Sequence, residues 1–113
     1  MNNGDLKLCL KGVLLRHEGR NRAITGRELA TIVGHRDDRQ VRMAIRELIT
    51  GGLPVASSTE APAGYFLVAT RQEAEEYALS IRRRLIEDAL RRRDFRRAAD
   101  MYLTPAKQGK LLF

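Results

Sequence analysis

Four apolar residues, Val41, Ala44, Ile45 and Leu48, recur at i, i+3, i+4 and i+7 between a capping Asp37 and a Gly51-Gly52 stop. That spacing predicts a helix from about Asp38 to Thr50 with one buried face. The opposite face then carries Arg39, Arg42, Met43 and Arg46, with Gln40 on its shoulder. A helix pinned inward by aliphatic carbon, with three guanidinium groups turned outward, dictates what surrounds it. The rest of the chain has to roof the apolar face and leave the arginine face open to a polyanion.

The residues before and after supply that frame. Thr25-Gly26-Arg27-Glu28 is a capping box, a hydroxyl for the first helical amides and a carboxylate three positions on. Leu29, Ala30, Ile32 and Val33 give its short helix an apolar face, and Gly34 stops it. Gly34-His35-Arg36 is a tight turn into the next helix, where Asp37 caps and Gln40 takes the box position. Two short helices joined by a Gly-containing turn are a helix-turn-helix signature. Leu53-Pro54-Val55-Ala56 reads as a strand at a sheet edge, because Pro54 lacks a donor. Ser57–Ala63 reads as a polar loop and Gly64–Val68 as a second strand, so the hairpin forms a wing. Ala23-Ile24 is a short apolar step suited to a strand of one rung.

At the N-terminus, Asp5 is placed to cap a helix reaching about His17, with Leu6, Cys9, Leu10, Val13 and Leu14 on its buried side. Cys9 is the sole cysteine, read as a buried thiol in a reducing cytoplasm. Downstream, Thr70-Arg71-Gln72-Glu73 is a third capping box, opening a long helix to about Arg93, with Asp94 capping a further one. Its apolar stripe, Ala74, Ala78, Ile81, Leu85 and Ala89, is narrow. Between Arg82 and Arg97 eight arginines stand against three acids. That helix either pairs with a second copy to make a homodimer, packs on its own domain, or is a solvated basic helix. Thr104-Pro105 ends regular structure.

The 113 residues are enough for one compact domain with a modest aliphatic core, since there is no Trp. Lys and Arg number 21 against 14 Asp and Glu, a net charge of +7 that favours nucleic acid over membrane as partner. No apolar run suits a signal peptide or a membrane span. His17 and His35 lie in separate turns with no matched carboxylate or nucleophile, and there is no phosphate-binding Gly loop or His/Cys metal set. The expectation is therefore a protein that is not an enzyme and carries no cofactor or metal.

The segments ITGRELATIVG, HRDD, RQVRMAIRELITGGLPVAS and GYFLVAT together resemble a winged helix-turn-helix. The likeness is to the DNA-binding end of biotin-repressor-type regulators. It is stronger to the small winged-helix proteins that bacteriophages encode for replication or transcriptional control. The resemblance implies a mainly α fold with a small two- or three-stranded antiparallel sheet, followed by a long C-terminal helix. It implies that the second motif helix enters the major groove of duplex DNA, which nominates Arg39, Gln40, Arg42, Met43 and Arg46 for the bases. Thr25, Arg27 and Arg36 would then stand near phosphates, and Ser57, Ser58 and Thr59 would be the wing's polar contacts. The chain departs from the family in two places: the wing has no base and one acid, Glu60, and Asp37 and Asp38 stand at the helix tip.

The last residues, Gln108-Gly109-Lys110-Leu111-Leu112-Phe113, resemble the short peptide with which bacterial replication and repair proteins hook onto the sliding clamp. That likeness implies an amide at Gln108 for orientation and Leu111, Leu112 and Phe113 for an apolar pocket. The alternative is that the three apolar residues fold back on the core. The chain thus divides into a winged domain at 1–69, a helical extension at 70–103 for packing or dimerisation, and a tail at 104–113. Two functions are expected to compete: a DNA-binding protein, and a protein-interaction adaptor or inhibitor built on a winged helix with the tail bound to a replication protein.

Overall fold

The computed structural model describes residues 3–34 and 37–104. The chain falls into two compact units, Met1–Tyr77 and Ala78–Phe113. The described residues form helices α1 (Asn3–Leu14), α2 (Gly26–Ile32), α3 (Asp38–Thr50) and α4 (Arg71–Leu103). Strands β1 (Val55–Ser58) and β2 (Gly64–Leu67) pair antiparallel between α3 and α4 in the chain. The expected class is what forms: mainly α, a small antiparallel sheet, and a long C-terminal helix.

The first unit is built around aliphatic side chains from several elements. Leu6, Leu10 and Leu14 step by four along α1 and are fully buried. They meet Ile24, then Leu29, Ala30 and Val33 of α2 and its cap, Val41, Ala44 and Ile45 of α3, and Val55 of β1. Two residues assigned to this core lie outside it. Cys9 is exposed, because the buried line of α1 advances in steps of four and a residue three after Leu6 falls off its edge. Ile32 is also exposed, because Leu29, Ala30 and Val33 already span the buried arc of a seven-residue helix. Helix α1 also starts before Asp5, which lies in its first turn rather than at a cap, and it ends at Leu14 rather than His17. It closes through i→i+3 bonds, Arg16 N–H to the Val13 carbonyl (2.9 Å) and His17 N–H to the Leu14 carbonyl (2.9 Å). The His17 carbonyl then accepts from Leu67 N–H at 2.9 Å.

The strand of one rung forms at Ile24. Ile24 and Tyr65 exchange both backbone bonds, at 2.8 and 2.7 Å, so β2 is hydrogen-bonded on both edges. On its other edge the register is Val55↔Leu67, Ala56↔Phe66, Ser57↔Tyr65 and Ser58↔Gly64. Strand β1 therefore begins and ends two residues later than its apolar run suggests. Pro54 offers no donor, so pairing starts after it, and the polar Ser57 and Ser58 are strand residues rather than loop. The loop that remains is Thr59–Ala63.

Helix α4 opens as its capping box predicts, with one change. Thr70 Oγ1 accepts from Glu73 N–H at 3.1 Å. The Glu73 carboxylate accepts from Ala69 N–H (2.8 Å) and from Arg20 N–H (3.0 Å), so it also ties the start of α4 to the loop after α1. These backbone donors, Ala69 before Arg20, hold the Glu73 carboxyl below its ordinary value of 4.5. A depressed folded value means stability that is present above the unfolded value and lost as pH falls through the folded one. Glu73→Gln is therefore expected to lower the urea midpoint at neutral pH. The gap from wild type should shrink as pH drops below 4.5, and urea titrations across that range check it.

The break predicted at Asp94 is absent. Helix α4 runs unbroken from Arg71 to Leu103 because it contains no Gly or Pro, and Asp94 pairs inside it with the Arg93 guanidinium at 3.1 Å. Its end falls just ahead of Thr104-Pro105, where the residue preceding a proline is steered out of the helical region. Among the described residues no helix is long and apolar enough to cross a membrane.

Candidate nucleic-acid interface

Helix α3 starts where Asp37 Oδ1 accepts from Arg39 N–H at 3.0 Å, so the aspartate at the helix tip works as its cap. Val41, Ala44 and Ile45 are buried and Leu48 is half-buried, which fixes the rotation of the helix about its axis. Arg39, Gln40, Arg42, Met43 and Arg46 are all exposed as a consequence. Arg39, Arg42 or Met43, and Arg46 follow at i, i+3 or i+4, and i+7, one line along the outer surface. Met43 is 54% exposed, an apolar side chain between cations, and borders a shallow cleft with Arg39, Gln40 and Glu47.

Glu47, the acid next to Arg46 in the chain, turns to Lys7 of α1 instead, at 3.5 Å. Among the described residues no carboxylate stands within ion-pair distance of Arg39, Arg42 or Arg46. Tyr65 of β2 adds an aromatic residue beside this face. Partial burial pushes its phenol up, the Arg42 charge pulls it down, and Asp38 and Tyr77 push it up again. Tyr77 also reaches the Ser57 hydroxyl at 3.4 Å, which ties the first turns of α4 to β1.

The residues nominated for phosphate separate. Arg27 is exposed on the first turn of α2. Thr25 is committed to its helix: its hydroxyl donates to Glu28 Oε1 (3.0 Å) and accepts from Glu28 N–H (3.1 Å). Its part is to set the start of α2. Arg36 lies outside the described residues, as do Gln108, Leu111, Leu112 and Phe113 of the tail. On the wing, Ser57 faces Tyr77, and Ser58 bonds both the carbonyl and the N–H of Glu60 (3.1 and 3.2 Å). Thr59 is left as the exposed hydroxyl at the tip.

Arg20, which the sequence did not single out, answers the wing's acid. Its guanidinium meets Glu60 at 2.6 Å, while its own N–H is held by Glu73. The wing tip thus carries a neutralised pair rather than a bare negative charge. Arg20 comes from a 3-10 turn, Arg20–Arg22, held beside β2 by Gly19 N–H to the Leu67 carbonyl at 2.8 Å. Among the described residues no group of His, Cys, Asp and Glu is arranged to hold a metal ion.

No protein-family model, no curated protein and no solved structure matches this chain.

Proposed function

We propose that this chain is a DNA-binding protein, of the kind bacteriophages use in replication or transcriptional control, which lays α3 into the major groove. One observation carries the reading: three arginines line the outer face of a helix whose inner face is locked in the core, and no carboxylate of the described residues stands within ion-pair distance of them. An α-helix fills the major groove of B-form DNA, and a guanidinium there bonds guanine O6 and N7 together. Gln40 suits adenine, and Met43 suits a thymine methyl. Arg27 lies on the backbone side, where cations set orientation rather than sequence. The pairing of Arg20 with Glu60 removes the charge that would hold the wing off the phosphates.

Selection of random duplexes against the full chain tests this. The expected result is an enriched sequence, bound with an affinity that falls steeply with salt, by about 0.9 in log–log slope for each phosphate neutralised. Failure to bind either duplex or single-stranded DNA at low salt would overturn it. The competing reading, a protein-interaction adaptor, draws on Met43 and the cleft beside it. It predicts instead a stable protein complex whose interface covers Arg39 and Met43.

A further inference from the structure

We infer that α4 is a self-association helix, in which two copies of the chain pair antiparallel with Leu85 crossing Leu85. Along the unbroken helix one line of side chains is regular: Ala74, Ala78, Ile81, Leu85, Ala89, Arg92 and Arg96 follow at steps of four, three, four, four, three and four. The order of steps reads the same in both directions from Leu85. A stripe of that symmetry fits itself when turned end over end about a two-fold axis through Leu85. Its mean step is close to the natural turn of a helix, so the line stays on one face without supercoiling.

The stripe is open to solvent from Ala78 onward, while Ala74 is half-buried. No described residue from Ala78 onward is buried, and Leu85 is 65% exposed, with Leu79, Ile81, Ile86 and Leu90 also open. Isolated helices are marginal in water, and an apolar line on one needs a cover.

Size and charge select a second copy in the antiparallel sense. About Leu85, Ile81 stands opposite Ala89 of the second copy, Ala78 opposite its Arg92, and Ala74 opposite its Arg96. Each alanine leaves room for an arginine stem, whose methylenes cover the apolar line while the guanidinium reaches water. On the flanks the same register sets Arg84 beside Asp88 of the second copy, Glu75 beside its Arg93, and Arg71 beside its Asp100. Within one chain the ion pairs along α4 are exposed and between near neighbours, Arg71 with Glu75 at 4.0 Å, Arg91 with Asp88 at 3.3 Å and Arg93 with Asp94, all weak enough to exchange. A parallel pair would instead stack Arg91, Arg92, Arg93, Arg96 and Arg97 on their own copies. Like charges so placed suppress that arrangement.

Sedimentation velocity on the full chain is expected to show a monomer–dimer equilibrium, lost in Leu85→Glu. Because Leu85 is exposed in the single chain, the circular dichroism of that variant at low concentration should match the wild type diluted to monomer. Arg84→Glu is expected to weaken the dimer and Arg84→Glu with Asp88→Arg to restore it. In a Cys9→Ser background, Leu85→Cys should form an intermolecular disulfide on mild oxidation and Ala78→Cys should not. A chain that stays monomeric at every concentration reached, or one that cross-links through Ala78→Cys and not Leu85→Cys, overturns the inference. None of these readouts involves DNA, so they stand or fall separately from the role of α3.

Discussion

Gly64→Ala is expected to destabilise the first unit by about 3 kcal/mol or more, a large share of the roughly 5–15 kcal/mol that holds a typical domain. Two costs coincide at this residue. Its φ is +127°, where an L side chain is strained. A Cβ built there would also overlap the Ile24 carbonyl and crowd Thr25 N, both backbone atoms that cannot swing aside. The two bonds that Ile24 and Tyr65 exchange are adjacent, so any shift that admits the methyl group strains that rung of the sheet. It also moves Thr25, whose hydroxyl starts α2. Gly52→Ala separates the costs. Gly52 has φ +108°, yet a Cβ there meets nothing within 4 Å. That variant should show the conformational strain alone, about 1–3 kcal/mol. Urea denaturation of both variants checks the ranking, and equal losses would mean that the approach to Ile24 contributes nothing.

The importance of Gly64 was hidden in the sequence, although the strand it opens was not. Local rules sufficed where an element depends on its own residues. The Thr25–Glu28 box, the Asp37 cap and the span Asp38–Thr50 of α3 all form as their residue types require. They failed where a distant part of the chain decides. Whether Ile24 pairs at all, and how tightly Gly64 must approach it, depends on how the hairpin docks. Cys9 and Ile32 carry suitable side chains for the core, but their helices are turned by the larger set of Leu6, Leu10 and Leu14 and of Leu29, Ala30 and Val33. Asp94 has the chemistry of a cap, yet a cap ends nothing when the residues on both sides favour continuing the helix.

The candidate interface divides in the same way. The outward residues of α3 were legible because one strong apolar period fixes the opposite side. The partners of that face were not. Glu47 is the neighbour of Arg46 in sequence, but in the fold it faces Lys7 on the first helix. Arg20 lies in a polar loop with no periodic signal, and it is matched with Glu60 only because that loop and the hairpin share an edge. Ser57 and Ser58 look like free wing hydroxyls until the register of β1 turns them to Tyr77 and to the backbone of Glu60.

Arg42→Ala and Arg46→Ala are each expected to weaken binding to the selected duplex by about 1–3 kcal/mol, roughly tenfold to a hundredfold, with less effect on random duplex. The reasoning rests on geometry. Both side chains are exposed on the line that would face the groove floor, and neither is an ion-pair partner within the described chain, so their removal leaves no buried charge behind and should not unfold the protein. Arg16→Ala is the matched control, an exposed arginine just past the end of α1 rather than on α3. The lysine variants sharpen the assignment. Arg42→Lys keeps the charge but loses the two-pronged donor, so it should retain binding to random duplex and lose the preference for the selected one. Arg27→Ala should do the reverse, lowering affinity for every duplex alike and flattening the salt dependence. If Arg42→Ala and Arg27→Ala instead gave the same profile, α3 would be a phosphate contact, and the sequence preference would have to come from the shape of the DNA.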